Sequence, residues 1–269
     1  MTTISELLRQ GFARIDRYDA RLLLCHVLEC SKESLITKQD CVVDPERVDR
    51  YLHVIQQAAD GYPVPYILGY HGFWNRNFHV TPDVLIPRPD TETLVENVLN
   101  ILVDASAPRI LEMGVGSGCI AVTLALEKPD ARVVATDISE KALTVAKGNA
   151  RRLGADNVTF LCGSWYEPVE GVFDIIVSNP PYIEPDDEHL PALRYEPIGA
   201  LTDGVDGLSD IRTIARGAAE HLRPGGYLTL EHGYDQGAAV RSIFECNAFR
   251  DVHTVKDLGQ NDRITIGRR

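Results

Sequence analysis

A chain of 269 residues, 44% hydrophobic and 25% charged, has the composition of a soluble globular protein, long enough for a small domain joined to one of ordinary α/β size. Its net charge of −12 argues against a protein that holds nucleic acid mainly through phosphates, since such proteins carry basic stripes, although a local basic groove stays open. No apolar run approaches the roughly 18 residues of a membrane span, the opening "MTTISELLRQGFARID" reads as a short amphipathic pattern rather than a signal sequence, and the cysteines at 25, 30, 41, 119, 162 and 246 contain no Cys-x-x-Cys and no histidine at zinc spacing. The expectation is a cytoplasmic protein with buried apolar thiols and no metal centre.

Residues 1–60 follow a helical period. "DARLLLCHVLE" puts Ala20, Leu23, Leu24, Val27 and Leu28 on one face, and "DPERVDRYLHVIQQAADG" opens on Asp44-Pro45 and closes at Gly61. This predicts a small all-helical domain. Residues 61–89, "GYPVPYILGYHGFWNRNFHVTPDVLIPRP", set aromatics among glycines and prolines and predict a β-hairpin linker. Most of those aromatics are expected to pack against the flanking domains, with a partner-binding role for one or two as the alternative.

Residues 90–269 alternate between strand and helix. A helix from Asp90 is followed by strand "RILEM", helix "CIAVTLALE", strand "RVVATD" and helix "EKALTVAKGNARRL" closed by Gly154. Strands "VTFLC" and "FDIIVS", a long irregular segment, helix "DIRTIARGAAEHL", strand "GYLTLEHG", helix "GAAVRSIFECN" and two terminal strands complete the pattern. Helices of this length between strands imply right-handed crossovers and a mostly parallel, doubly wound α/β sheet, with ligands beyond the carboxyl ends of its strands.

The loop "LEMGVGSGCIAV" carries Gly114, Val115, Gly116, Ser117 and Gly118 between the first of these strands and its helix. A dinucleotide fingerprint would need glycine where Cys119 stands, which counts against nicotinamide or flavin and suits a tighter turn with no pyrophosphate to cradle. Asp137 ends the next strand, where a carboxylate accepts hydrogen bonds from ribose hydroxyls. Its alternative role is to cap the next helix, for which Ser139 is better placed. Trp165 ends the third strand segment and could lie on an adenine face, a plainly packed tryptophan being the alternative. Together these describe a pocket for an adenosine that carries no phosphates, and S-adenosylmethionine is the natural candidate.

The fourth strand stops on Asn179-Pro180-Pro181-Tyr182. Neither proline can donate to a ladder and each holds the preceding residue extended, so the spur presents an amide, free carbonyls and a ring together. A planar amide or aromatic amine is a poor nucleophile because its lone pair is delocalised. Acceptors on both of its N–H groups orient it and draw electron density onto the nitrogen. Asn179 Oδ1 and the Pro180 carbonyl are suited to that task, with Tyr182 stacking on the planar group, and no general base is needed before methyl transfer.

These motifs, with "DARLLLCHVL", "PYILGYHGFW", "LIPRPDTETLVE", "YEPIGALTDGVDGL", "LEHG" and "NDRITIGR", resemble the glutamine-N5 methyltransferases that modify the Gly-Gly-Gln tripeptide of class I peptide-chain release factors and so tune translation termination. The resemblance spans nearly the whole chain. It implies a class I S-adenosylmethionine-dependent methyltransferase fold, Rossmann-like with a seven-stranded sheet, behind a helical domain that binds the release factor. It also implies donor contacts from Gly114 to Gly118, Asp137, Trp165 and Asn179, and glutamine contacts from Asn179, Pro180, Pro181 and Tyr182, in a monomer without direct nucleic-acid contact. Two positions depart from the family pattern: Glu112 stands for the commoner aspartate, and Ser164 precedes Trp165 where an acid is frequent. The Asn-Pro-Pro-Tyr motif is shared with N6-adenine DNA methyltransferases, which flip their base; the acidic charge weighs against these. A ribosomal-protein glutamine methyltransferase and a non-catalytic donor-binding factor are the other readings.

Overall fold

The helix start signals of the N-terminal segment are used where they stand. In the computed structural model, which describes residues 1–269, α1 (Ile4–Phe12) opens on a capping box in which Thr3 accepts from the Glu6 N–H and the Glu6 carboxylate accepts from the Thr3 N–H. Helix α2 (Arg17–Leu28) is capped by Asp16, α3 (Lys32–Thr37) by Ser31, and α4 (Pro45–Ala59) by Asp44 with Pro45 in its first turn. Their inward faces meet at Leu7, Leu23, Leu24, Tyr51 and Ile55, all fully buried. Truncating one of these leucines to alanine removes about 2–5 kcal/mol, a large share of a small domain's stability.

The chain divides into two compact units after Tyr70, so residues 61–89 do not behave as one linker. Val64–Leu68 form a short helix, α5, ended by Gly69 at φ 77°. The hairpin is confined to β1 (Tyr70–Phe73) and β2 (Arg76–His79), with Trp74 and Asn75 both at positive φ, as a two-residue turn requires. Phe73 and Phe78 are buried edge to face in the core of the C-terminal unit. The Trp74 N–H donates to Glu92 at 2.7 Å, and Asn149 exchanges hydrogen bonds of 2.8 and 2.9 Å with the His79 backbone. The packing expected of the linker aromatics is seen at Phe73 and Phe78.

That unit continues with α6 (Thr91–Ile101), β3 (Arg109–Met113), α7 (Cys119–Glu127), β4 (Arg132–Asp137), α8 (Glu140–Leu153), β5 (Val158–Cys162) and β6 (Phe173–Ser178). After two short 3-10 turns at Leu190–Leu193 and Ile198–Ala200 come α9 (Ser209–His221), β7 (Leu222–Glu231), α10 (Gly237–Cys246), β8 (Arg250–Lys256) and β9 (Asp262–Arg268). The seven strands lie in the order β5-β4-β3-β6-β7-β9-β8, with β9 antiparallel to both neighbours and the pairs from β5 to β7 parallel. Side chains alternate across this sheet. Ile110, Val133, Ile175 and Val177 face α6, α7 and α8, while Leu111, Met113, Ile176 and Leu228 face α9 and α10. Helix α7, wedged in the first of these layers, has Cys119 to Ala125 all buried, which explains a sequence apolar on every side. The chain reverses its order of addition between β3 and β6, and a crevice opens beyond their carboxyl ends. No helix is long and apolar enough to cross a membrane.

Candidate active site

A cavity of about 450 Å³ occupies that crevice. One wall is the turn after β3. The Gly114 and Val115 N–H groups both donate to the Thr136 carbonyl at 2.9 Å, tying the turn to the end of β4. Gly116, at φ 51°, has nothing within 4 Å of where a Cβ would stand, so a side chain there would fill the cavity. Gly118 serves another purpose: a Cβ would meet Ala146 Cβ at 3.1 Å, so its bareness lets α7 and α8 approach.

Asp137 lines the cavity and organises the turn. Its Oδ2 accepts from the Gly116 N–H and its Oδ1 from the Ser139 N–H, each at 2.9 Å. Each oxygen keeps a second lone pair for a ligand. Burial raises its pKa, against the lowering effect of the amides of Gly116, Ser139 and Ile138. Ser139 caps α8 by accepting from Ala142 at 3.2 Å, as expected. Trp165, half-buried at φ 44°, forms part of the same wall, and its carbonyl accepts from the Thr136 hydroxyl at 3.4 Å.

The opposite wall is the spur after β6. Asn179 and Pro181 line the cavity, while Pro180 is buried and, like Tyr182, does not line it. Long-range bonds hold the spur at Ser178, Asn179 and Tyr182. Ser178 donates its hydroxyl hydrogen to the Met113 carbonyl at 2.7 Å, and Asn179 Nδ2 donates to Thr91 Oγ1 at 3.2 Å. The Tyr182 hydroxyl donates to Glu231 Oε1 at 3.3 Å, and Gln236 Nε2 donates to the Tyr182 carbonyl at 3.0 Å. Glu231 is 1% exposed; burial lifts its pKa to about 7, while Thr91, the Arg263 charge and Tyr182 pull it back. Tyr182 is raised in turn, chiefly by burial and then by the Glu231 charge.

The structure therefore brings Gly114, Gly116, Asp137, Trp165, Asn179 and Pro181 to one cavity and leaves Val115, Ser117, Gly118, Pro180 and Tyr182 off its lining. Val115 points into the hydrophobic core and Ser117 is 2% exposed, because a tight turn alternates which residues it can present. Glu112 does not reach the cavity either: it is 1% exposed and accepts from the Ala121 N–H at 2.7 Å in the first turn of α7. Ser164 lines the cavity. Sequence reasoning assigned no role to Asp83, Val84 and Leu85 or to Pro197, Gly199 and Ala200, which also line the cavity. Glu196 ties these two segments together by accepting from the Ile86 N–H at 3.0 Å and from the Arg88 guanidinium. "LIPRPDTE" and "YEPIGAL" carried the signal, since both prolines and charges recur there beside no helical or strand period.

Residues 2–69 match the family model described as the PrmC N-terminal domain, and residues 89–194 the one described as the Methyltransferase small domain. A release factor glutamine methyltransferase from Xylella fastidiosa is 46% identical over 265 residues, covering 97% of this chain and 96% of that protein. One from Neisseria gonorrhoeae is 49% identical over 263 residues, covering 96% and 95%. Among solved structures, a methyltransferase from Pyrococcus furiosus superposes with a TM-score of 0.54 at 19% identity, covering 82% of this chain and 98% of that one, a likeness of fold.

Proposed function

The chain belongs to the release factor glutamine methyltransferase family, and from that membership we propose that it methylates the side-chain nitrogen, N5, of the glutamine in the Gly-Gly-Gln motif of class I peptide-chain release factors, thereby tuning translation termination. The bareness of Gly116 and the free lone pairs of Asp137 fit S-adenosylmethionine: the glycine turn would pass close beneath it, Asp137 would accept from its ribose hydroxyls, and Trp165 would lie along its adenine. When bound, that donor supplies an electrophilic methyl group on a sulfonium.

This chain's own part is to present the glutamine. Asn179 Oδ1 and the Pro180 carbonyl accept its two N–H groups, Pro181 borders the path, and Tyr182, tethered to Glu231 through its hydroxyl, offers a ring for the amide plane. The nitrogen becomes acidic only after it has been alkylated, so no base need stand ready. One observation carries this reading. Asn179 gives its NH2 to Thr91, which leaves Oδ1 as the acceptor on a wall whose backbone prolines have a fixed φ and no N–H to donate. The helical unit, Met1–Tyr70, is assigned to grip of the folded release factor, and the acidic net charge supports a protein substrate rather than nucleic acid. The enzyme acts as a cytoplasmic monomer in this reading.

The test is labelled donor with a class I release factor and peptide mass spectrometry. One methyl group is expected on the Gly-Gly-Gln glutamine, and none on a factor with alanine there or on unmethylated DNA. Asn179→Ala should bind donor yet lose about 10²-fold or more in turnover. Label in DNA adenine alone would replace this reading with the base-flipping one. A chain starting at His71 should keep donor binding and lose efficiency on the folded factor more than on a free glutamine peptide; equal losses would strip the helical unit of its assigned role. The cut belongs there rather than near Thr81, because Phe73 and Phe78 are part of the core.

A further inference from the structure

A site for an adenosine can tell adenine from a base with a carbonyl at position 6 by placing a hydrogen-bond acceptor at the 6-amino group, since the wrong base then leaves that acceptor unpaired. We propose that Asp210 is such an acceptor: its carboxylate, at the Trp165 end of the cavity, receives an N–H of the donor's adenine amino group and makes the site selective for adenine. The inference rests on the reading above that lays adenine along Trp165.

Carboxylates line the cavity at Asp83, Asp137 and Asp210. Asp83 pairs with Lys141 at 3.2 Å, and both oxygens of Asp137 accept from backbone amides. Asp210 differs: it is half-buried, and its carboxylate makes no hydrogen bond or ion pair with the protein. It stands in the first turn of α9, where an acid can simply serve the helix start. Asp203 already does so, its Oδ2 accepting from the Ser209 N–H at 2.7 Å and its Oδ1 from the N–H groups of Val205, Asp206 and Gly207. Burial raises the Asp210 pKa and the Asp203 charge raises it further, with no protein N–H to oppose them. An N–H brought by a ligand would oppose both.

Helix α9 decides which end of the cavity Asp210 serves. Residues 210, 214, 217 and 221 recur at helical spacing and share one stripe. Tyr166, the residue after Trp165, lies along that stripe. Its hydroxyl donates to the Ile214 carbonyl at 2.7 Å, its ring covers Gly217, where a Cβ would stand 2.5 Å away, and the ring stacks on His221 with centroids 4.6 Å apart. One turn before Ile214 the stripe reaches Asp210, and one residue before Tyr166 the loop reaches Trp165. Both line the cavity, together with Gly163 and Ser164 of the same loop. A base held along Trp165 is therefore a neighbour of Asp210, and the 6-amino group is the donor that adenine brings.

The experiment is calorimetry on the full chain with three ligands: S-adenosylhomocysteine, 5′-methylthioadenosine, which lacks the amino-acid end, and 5′-methylthio-purine riboside, which lacks the 6-amino group as well. Asp210→Ala should weaken the first two alike, by about 10-fold, and leave the third unchanged. Asp210→Asn keeps an acceptor oxygen and should recover part of that loss; should the alanine variant not fold, the asparagine variant gives the same comparison with a smaller effect. Unchanged affinity for S-adenosylhomocysteine overturns the proposal. So does a loss that vanishes on 5′-methylthioadenosine, since Asp210 would then hold the donor's ammonium group, and so does an equal loss on all three ligands. Trp165→Ala tests the premise separately: it should weaken all three, because a ring stacks on a base with or without its amino group. If it weakens none, the role given to Trp165 fails, while the amino-group comparison still judges Asp210.

Discussion

The glycine-turn wall of the cavity is held by residues near one another in the chain, whereas the spur wall is held by residues scattered along it. Gly116 and Asp137 are 21 positions apart and joined across one strand-helix-strand unit. The partners of the spur lie 88 positions away at Thr91, 49 at Glu231 and 54 at Gln236. The first wall is mostly backbone, so it depends on what side chains are missing. The second is mostly side chain, so it depends on which distant ones are present. Damage to the first should weaken donor binding, and damage to the second should leave the donor in place and slow turnover.

The largest expected effect breaks the spur wall from behind. Gly207 sits at φ 68°, and a Cβ there would stand 2.4 Å from the Tyr182 carbonyl oxygen and 2.8 Å from Gln236 Nε2. Gly207→Ala adds left-handed strain to a clash with backbone, so unfolding stability should drop by about 4 kcal/mol. Thermal melts of the two proteins check this. Gly116→Ala, at a similar φ with open space around its Cβ, should lose only about 1 kcal/mol of stability while losing donor affinity. Equal melting losses in the two would erase the contrast between a wall limited by sterics and one limited by its ligand.

The same contrast explains what was legible. The strands from "RILEM" to "FDIIVS" and the helices between them stand within a residue or two of where periodicity and capping put them. Gly114, Gly116 and Asp137 could be read because a strand, a turn and the next strand end are a local pattern. Asn179 and Pro181 could be read because consecutive prolines force the chain out of the ladder. Thr91 and Glu231 could not. "DTETLVE" looks like an ordinary helix start and "LEHG" like an ordinary strand end, and only the Ser178 to Leu230 register brings Glu231 beside the spur. The hairpin was legible too: its turn and its aromatics were both written in the sequence, and Phe73 and Phe78 pack into the C-terminal core as the linker aromatics were expected to.

Glu231 gives the spur wall a pH signature. Its pKa rises from 4.5 to about 7 on folding. Between those values the folded protein binds more protons than the unfolded chain, so stability falls as pH rises, by about 3 kcal/mol in all, and levels off above pH 7. Glu231→Gln should flatten that slope, with the gain over wild type largest near pH 8 and small near pH 4. Denaturant titrations at the two pH values measure it; a gain independent of pH would mean that the carboxylate is not the costly group.

On the turn wall, Asp137→Ala should weaken S-adenosylmethionine by about 1–3 kcal/mol, through a lost charged acceptor and through release of the Gly116 N–H from its partner. Asp137→Asn keeps an acceptor for one of the two amides and should lose less. Calorimetry orders the three proteins, and equal affinity in all of them would take Asp137 out of the donor site.

The smallest effect is expected at Glu112, the other carboxylate at the end of a strand beside the turn. It differs from Asp137 in what surrounds it. Asp137 borders the cavity and receives two close amides, whereas Glu112 is 1% exposed, off the cavity lining, and receives the Ala121 N–H alone at 2.7 Å. Burial drives its pKa well above the usual carboxylate range, the Ala121 amide pulls it down and the Asp137 charge lifts it further. Its contact with the Ala121 N–H ties β3 to α7 away from the cavity. Glu112→Gln keeps the length and an oxygen for the Ala121 N–H. Stability and donor affinity should therefore both stay within about 1 kcal/mol of wild type. Glu112→Leu, which leaves that buried N–H unpaired, should cost about 1–3 kcal/mol. Paired melts and donor titrations on the two variants read this directly. A loss of donor affinity in Glu112→Gln as large as in Asp137→Ala would show that a negative charge behind the turn matters, and that the turn wall is held by more than its backbone.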